Sequence, residues 1–211
     1  MSKDSSNIRT ENGVVVGNVT EKRTVPNPIA RYLVQQFDAR ISGLIKQVAP
    51  KHILEVGCGE GEIIKMALAN TQAKIVGVDI SDVVLDKARQ NVSSDRVRLE
   101  KLSIYDVPET DAYQSELVVC CEVLEHLDDP EAGLRKLHAL TTSHCILSVP
   151  REPLWCMLNM VRGSYLKSFG NTPGHIQHWG KKSFLSFVSQ LFVIEKVYTP
   201  MPWTMVLCRK K

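Results

Sequence analysis

The residues best suited to chemistry in this chain begin with a glycine-rich turn, Glu55–Gly61, directly after an apolar run. Gly57, Gly59 and Gly61 would let a ligand approach the backbone closely, and the helix predicted to follow would present free N–H groups. Turns that cradle a pyrophosphate space their glycines as G-x-G-x-x-G, whereas here the third glycine comes one residue early and Glu62 follows. The turn therefore favours a ligand without phosphates, such as one that carries an amino group.

Two aspartates follow later apolar runs. Asp79 lies 22 residues after Gly57, where a carboxylate can accept hydrogen bonds from ribose hydroxyls. A helix cap is the alternative role for Asp79, although Ser81 could fill it. Asp106 follows the next run and is placed to hold an adenine amino group or to lie in a surface turn.

A third group combines carboxylates with a histidine. Glu122, Glu125 and His126 stand at i, i+3 and i+4, which places them on one face if residues 122–127 are helical. Together with His175 they would form an oxygen and nitrogen site fit for a divalent metal. The alternative is that they only fix a loop, and our prediction includes no metal.

Two further histidines, His175 and His178, lie in a segment rich in proline and glycine. This segment follows the fifth predicted strand and should return over the mouth of the pocket. Either histidine could act as a base or contact a substrate. The alternative is that each only ties down the loop.

The elements that must position these residues alternate between short apolar runs and helical patterns. The predicted strands are His52–Val56, Lys74–Val78, Val97–Leu102, Ser115–Cys121, Cys145–Val149, Leu191–Val197 and Thr204–Leu207. Helices are predicted near 28–48, 61–70, 81–91, 130–140 and 181–190. Repeated β-then-α units predict an α/β fold, a doubly wound and mostly parallel sheet covered by helices on both faces.

The domain organisation follows from the same pattern. Residues 1–27 are polar and predict a flexible N-terminal arm, while residues 28–211 predict one domain. Within it, residues 151–180 interrupt the alternation and are predicted to form a lid or substrate segment. Its apolar stretch 153–162 would line an apolar substrate pocket, with an interfacial helix and a dimer contact as alternatives.

Composition limits the partners. The net charge of +3 has seven Lys/Arg against four Asp/Glu in the first 50 residues and three basic residues at the end, so the middle is mildly acidic. Such a body does not favour DNA or RNA. No run approaches about 20 apolar residues, no apolar stretch begins the chain, and the six cysteines form no C-x-x-C pair. We expect a cytoplasmic protein, and a homodimer stays open.

These motifs, taken together, resemble the class I S-adenosylmethionine-dependent methyltransferases. Four stretches carry the resemblance: Ile53–Gly61, Val78–Ser81, Asp106 and Cys120–Leu127. The resemblance implies S-adenosyl-L-methionine as cofactor and a strand order of 3-2-1-4-5-7-6. It also implies a set of cofactor-binding residues from the methionyl part through ribose and adenine to the sulfonium: Glu55, Gly57, Cys58, Gly59, Asp79, Ile80, Asp106 and Cys121.

The segment before the last large helix is similar to that of the ubiquinone-biosynthesis O-methyltransferases, which carry a histidine that aligns with His175. This implies methyl transfer to an oxygen, or less readily a nitrogen, of a small and partly apolar acceptor, with His175 and His178 as catalytic candidates. Small-RNA 2′-O-methyltransferases also resemble the chain at Glu122, Glu125 and His126, which leaves a metal-dependent RNA enzyme as one alternative. A non-catalytic S-adenosylmethionine-binding protein is another.

Overall fold

The computed structural model describes residues 10–11, 14–15, 27–161, 163, 165, 168–172 and 174–211. Within the predicted arm, strand β1 (Thr10–Glu11) pairs antiparallel with strand β2 (Val14–Val15). The rest of that arm up to residue 26 lies outside the described residues. Helix α1 (Pro28–Val48) begins where Asn27 Oδ1 accepts hydrogen bonds from the N–H groups of the first turn.

Seven strands form the central sheet, with helices between them along the chain. The strands are β3 (His52–Val56), β4 (Lys74–Asp79), β5 (Val97–Lys101), β6 (Ser115–Cys121), β7 (Thr141–Pro150), β8 (Phe192–Tyr198) and β9 (Trp203–Lys210). The remaining helices are α2 (Glu62–Asn70), α3 (Asp82–Asn91), α4 (Pro130–Leu140), α5 (Leu154–Val161) and α6 (Lys181–Ser189). The order β5-β4-β3-β6-β7-β9-β8 confirms the prediction, with β9 antiparallel to both of its neighbours.

The sheet separates two apolar cores because its buried strands present alternate side chains to opposite faces. Helices α1, α2 and α3 cover one face, where Ile41 and Ile64 are fully buried. Helices α4 and α6 cover the other face, where Leu134 and Phe184 are buried. This arrangement explains why the strands read as nearly continuous apolar runs.

The element boundaries differ from the predictions in one informative way. Strands β7 and β9 run past their apolar cores because they pair with each other from His144↔Arg209 to Pro150↔Trp203. Cross-strand hydrogen bonds thus extend strands over polar residues that apolar patterning leaves out. None of the described helices has the length and hydropathy to cross a membrane.

The parallel strands bring the candidate residues to one edge. Strands β3, β4, β6 and β7 end at Val56, Asp79, Cys121 and Pro150, and the strand order reverses between β3 and β6. Open α/β sheets bind ligands beyond the carboxyl ends of their strands at such a reversal. The candidate site therefore lies at this edge of the sheet.

Candidate functional site

The glycine-rich turn folds back onto the end of β4. The N–H groups of Gly57 and Cys58 both donate to Val78 O, at 2.8 and 3.0 Å. Gly57 has φ +75°, and a Cβ there would lie 2.2 Å from a methyl carbon of Val123. At Gly59, with φ +52°, a Cβ would meet no atom within 4 Å. The turn therefore leaves open space in front of Gly59 that a ligand can enter.

Asp79 joins this turn to the end of β4. Its Oδ2 accepts from Gly59 N at 2.9 Å, and its Oδ1 accepts from Ser81 N at 3.1 Å. The α3 N-cap is Ser81, whose Oγ accepts from Val84 N, so Asp79 does not serve as that cap. A carboxylate accepts hydrogen bonds on both oxygens, which suits this position to ribose hydroxyls.

The predicted adenine side is held by a tyrosine. Asp106 is exposed at the end of a 3₁₀ turn, Ile104–Asp106, and its neighbour Tyr105 bonds to the start of α4. The Tyr105 hydroxyl donates to Asp129 O at 3.1 Å and accepts from Asp129 N at 3.3 Å. These two hydrogen bonds of the Tyr105 hydroxyl fix the loop that carries Asp106. Ile80, half-buried after Asp79, lies between this side and the glycine turn along the chain.

The remaining predicted cofactor residues line the ends of β3 and β6. Glu55 on β3 is 3% exposed and pairs in register with Val119 of β6. Burial raises the pKa of the Cys58 thiol and, against a hydrogen bond from Ser148, that of the Cys121 thiol. Both thiols are therefore protonated at neutral pH and are poor nucleophiles, so they shape the site without competing for an electrophile.

These observations fit S-adenosylmethionine. The space in front of Gly59 accepts a ligand against the backbone, and Asp79 lies at its side with acceptor capacity for ribose. Glu62 begins α2 and pairs with Lys65 at 2.6 Å, which puts a carboxylate where a pyrophosphate would otherwise be held. A ligand bearing an ammonium and a sulfonium group suits this environment.

Glu122, which the sequence offered only for the alternative metal site, lies apart from Glu125 and His126. It has a left-handed backbone, φ +60°, and its carboxylate accepts from Ser148 Oγ at 3.0 Å and from Trp203 Nε1 at 2.6 Å. The metal alternative required residues 122–127 to be helical, and this condition is not met, since only Leu124–His126 forms a 3₁₀ turn. Glu122 therefore does not share a face with Glu125 and His126.

The structure instead brings Glu125, His126 and His175 together. One ligand atom of each lies within 4.8 Å of the others, and Glu125 is 1% exposed. His126 Nδ1 lies 2.7 Å from Gly174 O, and the rings of His126 and His175 meet edge to face at 5.0 Å. Two backbone N–H groups, from Ile176 and Gln177, donate to Glu125 O at 2.8 and 3.0 Å. The later segment is thus bonded directly to the loop after β6.

His178 takes a different place. Its Nδ1 lies 3.7 Å from Glu152 Oε1, and its side chain is 43% exposed. Glu152 follows β7, and its other carboxylate oxygen accepts from Cys156 N at 3.2 Å. Of the two predicted histidines, the structure places His175, and not His178, with Glu125 and His126.

Glu152 also contributes to a raised pKa of the Cys156 thiol. Burial, followed by the hydrogen bond and negative charge of Glu152, raises the pKa of the Cys156 thiol to about 11. Because only the thiolate reacts, alkylation of Cys156 by iodoacetamide at pH 8 should be about 100-fold slower than at an ordinary thiol. Peptide mass spectrometry measures this rate, which should still rise with pH near pH 10.

A Glu152→Gln variant provides the control for this prediction. It removes the negative charge, so the pKa of Cys156 should fall and alkylation at pH 8 should become faster. A rate that already levels off near pH 9 in the unaltered protein contradicts the prediction.

Sequence reasoning did not find several residues that complete the site. Trp203, Thr172 and Asn159 all bond to site elements although they lie in no recognisable motif. The available signal was the presence of tryptophan among prolines and glycines, since a partly buried indole N–H usually requires a partner. That signal indicates that the indole N–H needs a hydrogen-bond acceptor, but it does not indicate which residue supplies it.

Comparison with known proteins agrees with this geometry. A sequence model described as "Methyltransferase domain" matches residues 54–147. The ubiquinone biosynthesis O-methyltransferase of Coxiella burnetii (strain Dugway 5J108-111) is 32% identical over 116 residues, which are 54% of this chain and 45% of that protein. The aligned part thus spans less than half the length of this relative.

Solved structures show the same fold. Magnesium protoporphyrin IX methyltransferase from Synechocystis PCC 6803, with S-adenosylhomocysteine bound, has a TM-score of 0.69 at 17% identity and covers 89% of each chain. The small RNA methyltransferase HEN1 has a TM-score of 0.66 at 18% identity, covering 84% of this chain and 25% of that one. Fold, sheet-edge geometry and matching domain agree: residues 54–147 are similar to a methyltransferase domain, and the chain has the fold of solved S-adenosylmethionine-dependent methyltransferases.

Proposed function

We propose that this chain transfers the methyl group of S-adenosylmethionine to an oxygen of a small, partly apolar acceptor. One observation carries the proposal: the opening in front of Gly59 and the group of Glu125, His126 and His175 both follow strands that end at the same sheet edge. The similarity to the Coxiella burnetii protein, an O-methyltransferase, supports oxygen over nitrogen as the acceptor atom.

The cofactor side relies on few contacts. Glu55 and the turn from Gly57 to Gly59 would hold the methionyl part, Asp79 the ribose, and Asp106 the adenine. When bound, S-adenosylmethionine supplies a methyl group that the acceptor oxygen takes as a C–O bond forms, while the C–S bond breaks and its electron pair stays on sulfur. Because the sulfonium already activates the methyl group, positioning by the protein accounts for most of the acceleration.

The acceptor side relies on His175. Its ring lies against His126 at 5.0 Å, and the backbone on either side of it is bonded to neighbouring segments, so its position is restricted. An acceptor hydroxyl must lose a proton during transfer, and His175 would orient that hydroxyl and take the proton. Residues 151–180 would form the lid that covers the acceptor, as the sequence predicts.

The experiment pairs binding with turnover. Calorimetry with S-adenosylhomocysteine should give one site per chain, and S-adenosylmethionine should be consumed only when an acceptor is present. The acceptor panel holds alkyl-substituted catechols and phenols, matched alkyl amines, and sugars. Turnover with the phenols or catechols supports the proposal, whereas binding without turnover on any of them would make the chain a non-catalytic binder.

A second function is favoured by the donor set itself. The carboxylate of Glu125 and the two imidazoles would suit a divalent cation, and HEN1, which shares the fold, is named as a small RNA methyltransferase. The chain would then be a metal-dependent RNA 2′-O-methyltransferase. The mildly acidic middle of the chain favours the small acceptor instead.

Removal of divalent ions separates the two functions. With the small acceptor, we expect methyl transfer to remain within about twofold after dialysis against EDTA, because a positioned base needs no Lewis acid. Loss of activity that Mg²⁺ or Mn²⁺ restores, together with methylation of a short RNA at a 2′-hydroxyl, would favour the RNA function.

A further inference from the structure

Helix α5 presents two polar donors on one of its faces. Trp155 and Asn159 are four residues apart and therefore lie one above the other on that face. Asn159 is 2% exposed, whereas Met157 and Val161, between and beyond them, are 53% and 85% exposed. The face that carries Trp155 and Asn159 is therefore the face that packs against the protein.

Both donors reach one hydroxyl. Trp155 Nε1 donates to Thr172 Oγ1 at 2.8 Å, and Asn159 Nδ2 donates to the same oxygen at 3.2 Å and to Gly170 O at 2.8 Å. A threonine hydroxyl has two acceptor directions, so these two bonds use its full acceptor capacity. Thr172 thus joins α5 to the segment that leads to His175.

Gly170 shows how closely that segment lies on the helix. It has φ +80°, and a Cβ there would be 2.1 Å from Cys156 O. Since no side chain fits, the backbone of residue 170 contacts the backbone of α5 directly. The contact lies five residues before His175.

His175 lies between two rings that come from different elements. The Trp155 ring is 5.8 Å from it at an interplanar angle of 33°, and the His126 ring is 5.0 Å from it at 73°. The backbone N–H of His175 also donates to the backbone oxygen of Thr172 at 3.1 Å. The loop after β6 thus fixes one side of His175, and α5 fixes the other through Trp155 and Thr172.

We propose that Trp155 is a positioning residue that, through its hydrogen bond to Thr172, holds the His175 ring in place for the acceptor. The proposal rests on the proposed function only where it assigns His175 to the acceptor; the placement of the ring is a separate, measurable property. Trp155 itself touches neither cofactor nor acceptor in this role. Trp155 sets the orientation of the His175 imidazole, which contacts the acceptor.

The test compares Thr172→Val, which keeps the shape and removes the acceptor, with Thr172→Ser, which keeps the acceptor. The rate at which diethyl pyrocarbonate modifies His175 is followed by peptide mass spectrometry, with the exposed His52 as internal reference. Thr172→Val loses both bonds to Oγ1, and each lost hydrogen bond shifts a local opening equilibrium about fivefold, so His175 should react at least about fivefold faster in this variant. Thr172→Ser should match the unaltered protein.

Trp155→Phe is the second variant, because it removes the N–H donor and keeps a smaller aromatic ring beside His175. It removes one of the two bonds to Thr172 Oγ1 and should raise the His175 rate about fivefold, with the affinity for S-adenosylhomocysteine unchanged in calorimetry. With any acceptor that the unaltered protein methylates, both variants should lower kcat about tenfold while KM for S-adenosylmethionine stays constant.

The outcomes separate the two proposals. Equal His175 rates in Thr172→Val, Thr172→Ser and the unaltered protein overturn the positioning role, as does an equal rate in Trp155→Phe if Thr172→Val does not fold. If His175 is modified faster in the variants but the unaltered protein methylates no acceptor, the positioning role is supported and only the proposed function is contradicted.

Discussion

Replacing Asp79 with alanine should weaken the binding of S-adenosylhomocysteine by at least about 100-fold. Hydrogen bonds to a charged group contribute about 1.5–3 kcal/mol each, and two ribose hydroxyls would lose theirs. The glycine turn would also lose the bond from Gly59 N to Asp79 Oδ2 at 2.9 Å, so the opening in front of Gly59 would lose its support. Isothermal titration calorimetry measures the change directly.

Asp82 provides the matched control for that experiment. It lies three residues further on, begins α3, and pairs its exposed carboxylate with Lys101. Asp82→Asn should leave the affinity within about twofold, since an exposed ion pair contributes little. An Asp79→Ala protein that melts at the temperature of the unaltered protein and binds S-adenosylhomocysteine equally well would refute the ribose assignment.

Replacing His175 with alanine should lower the turnover of an oxygen acceptor by about 100-fold or more, the range expected for loss of a positioned base. Affinity for S-adenosylhomocysteine should change by less than about threefold, because the ring of His175 lies against those of His126 and Trp155, on the proposed acceptor side. Radiolabelled methyl transfer gives kcat, and calorimetry gives the affinity.

His178→Ala is the comparison variant for His175. The exposed His178 pairs with Glu152 and lies outside the group of Glu125, His126 and His175, so turnover should fall by less than about threefold. Turnover of His175→Ala at the rate of the unaltered protein would remove His175 from the mechanism. A large loss in His178→Ala alone would transfer the role to that residue.

The sheet could be predicted because its determinants are local. Strands β3 and β6 match their predicted limits, since each is an apolar run closed by a turn. The glycine spacing and Asp79 follow directly from such runs, and the right-handed β-α-β connection leaves few arrangements for them. Both therefore reach the sheet edge where the site was expected.

The acceptor side could be predicted only in part, because the partners that position its residues are distant in the chain. Glu122 forms no helix with Glu125, because its carboxylate bonds to Ser148 on β7 and to Trp203, 81 residues away. Nothing in the spacing around Glu122 records those partners. The same holds for Trp155 and Thr172, whose bond depends on how α5 packs against a segment rich in proline and glycine.

The most direct test of the central claim follows the methyl group itself. The chain is incubated with S-adenosylmethionine labelled with ¹³C in its methyl group and with the acceptor panel, and the products are resolved by NMR and mass spectrometry. The account predicts ¹³C in a methoxy group and S-adenosylhomocysteine in equal amount, with both absent in Asp79→Ala. Label that stays entirely on S-adenosylmethionine, in a protein that binds it, would contradict the proposal that this chain is an O-methyltransferase.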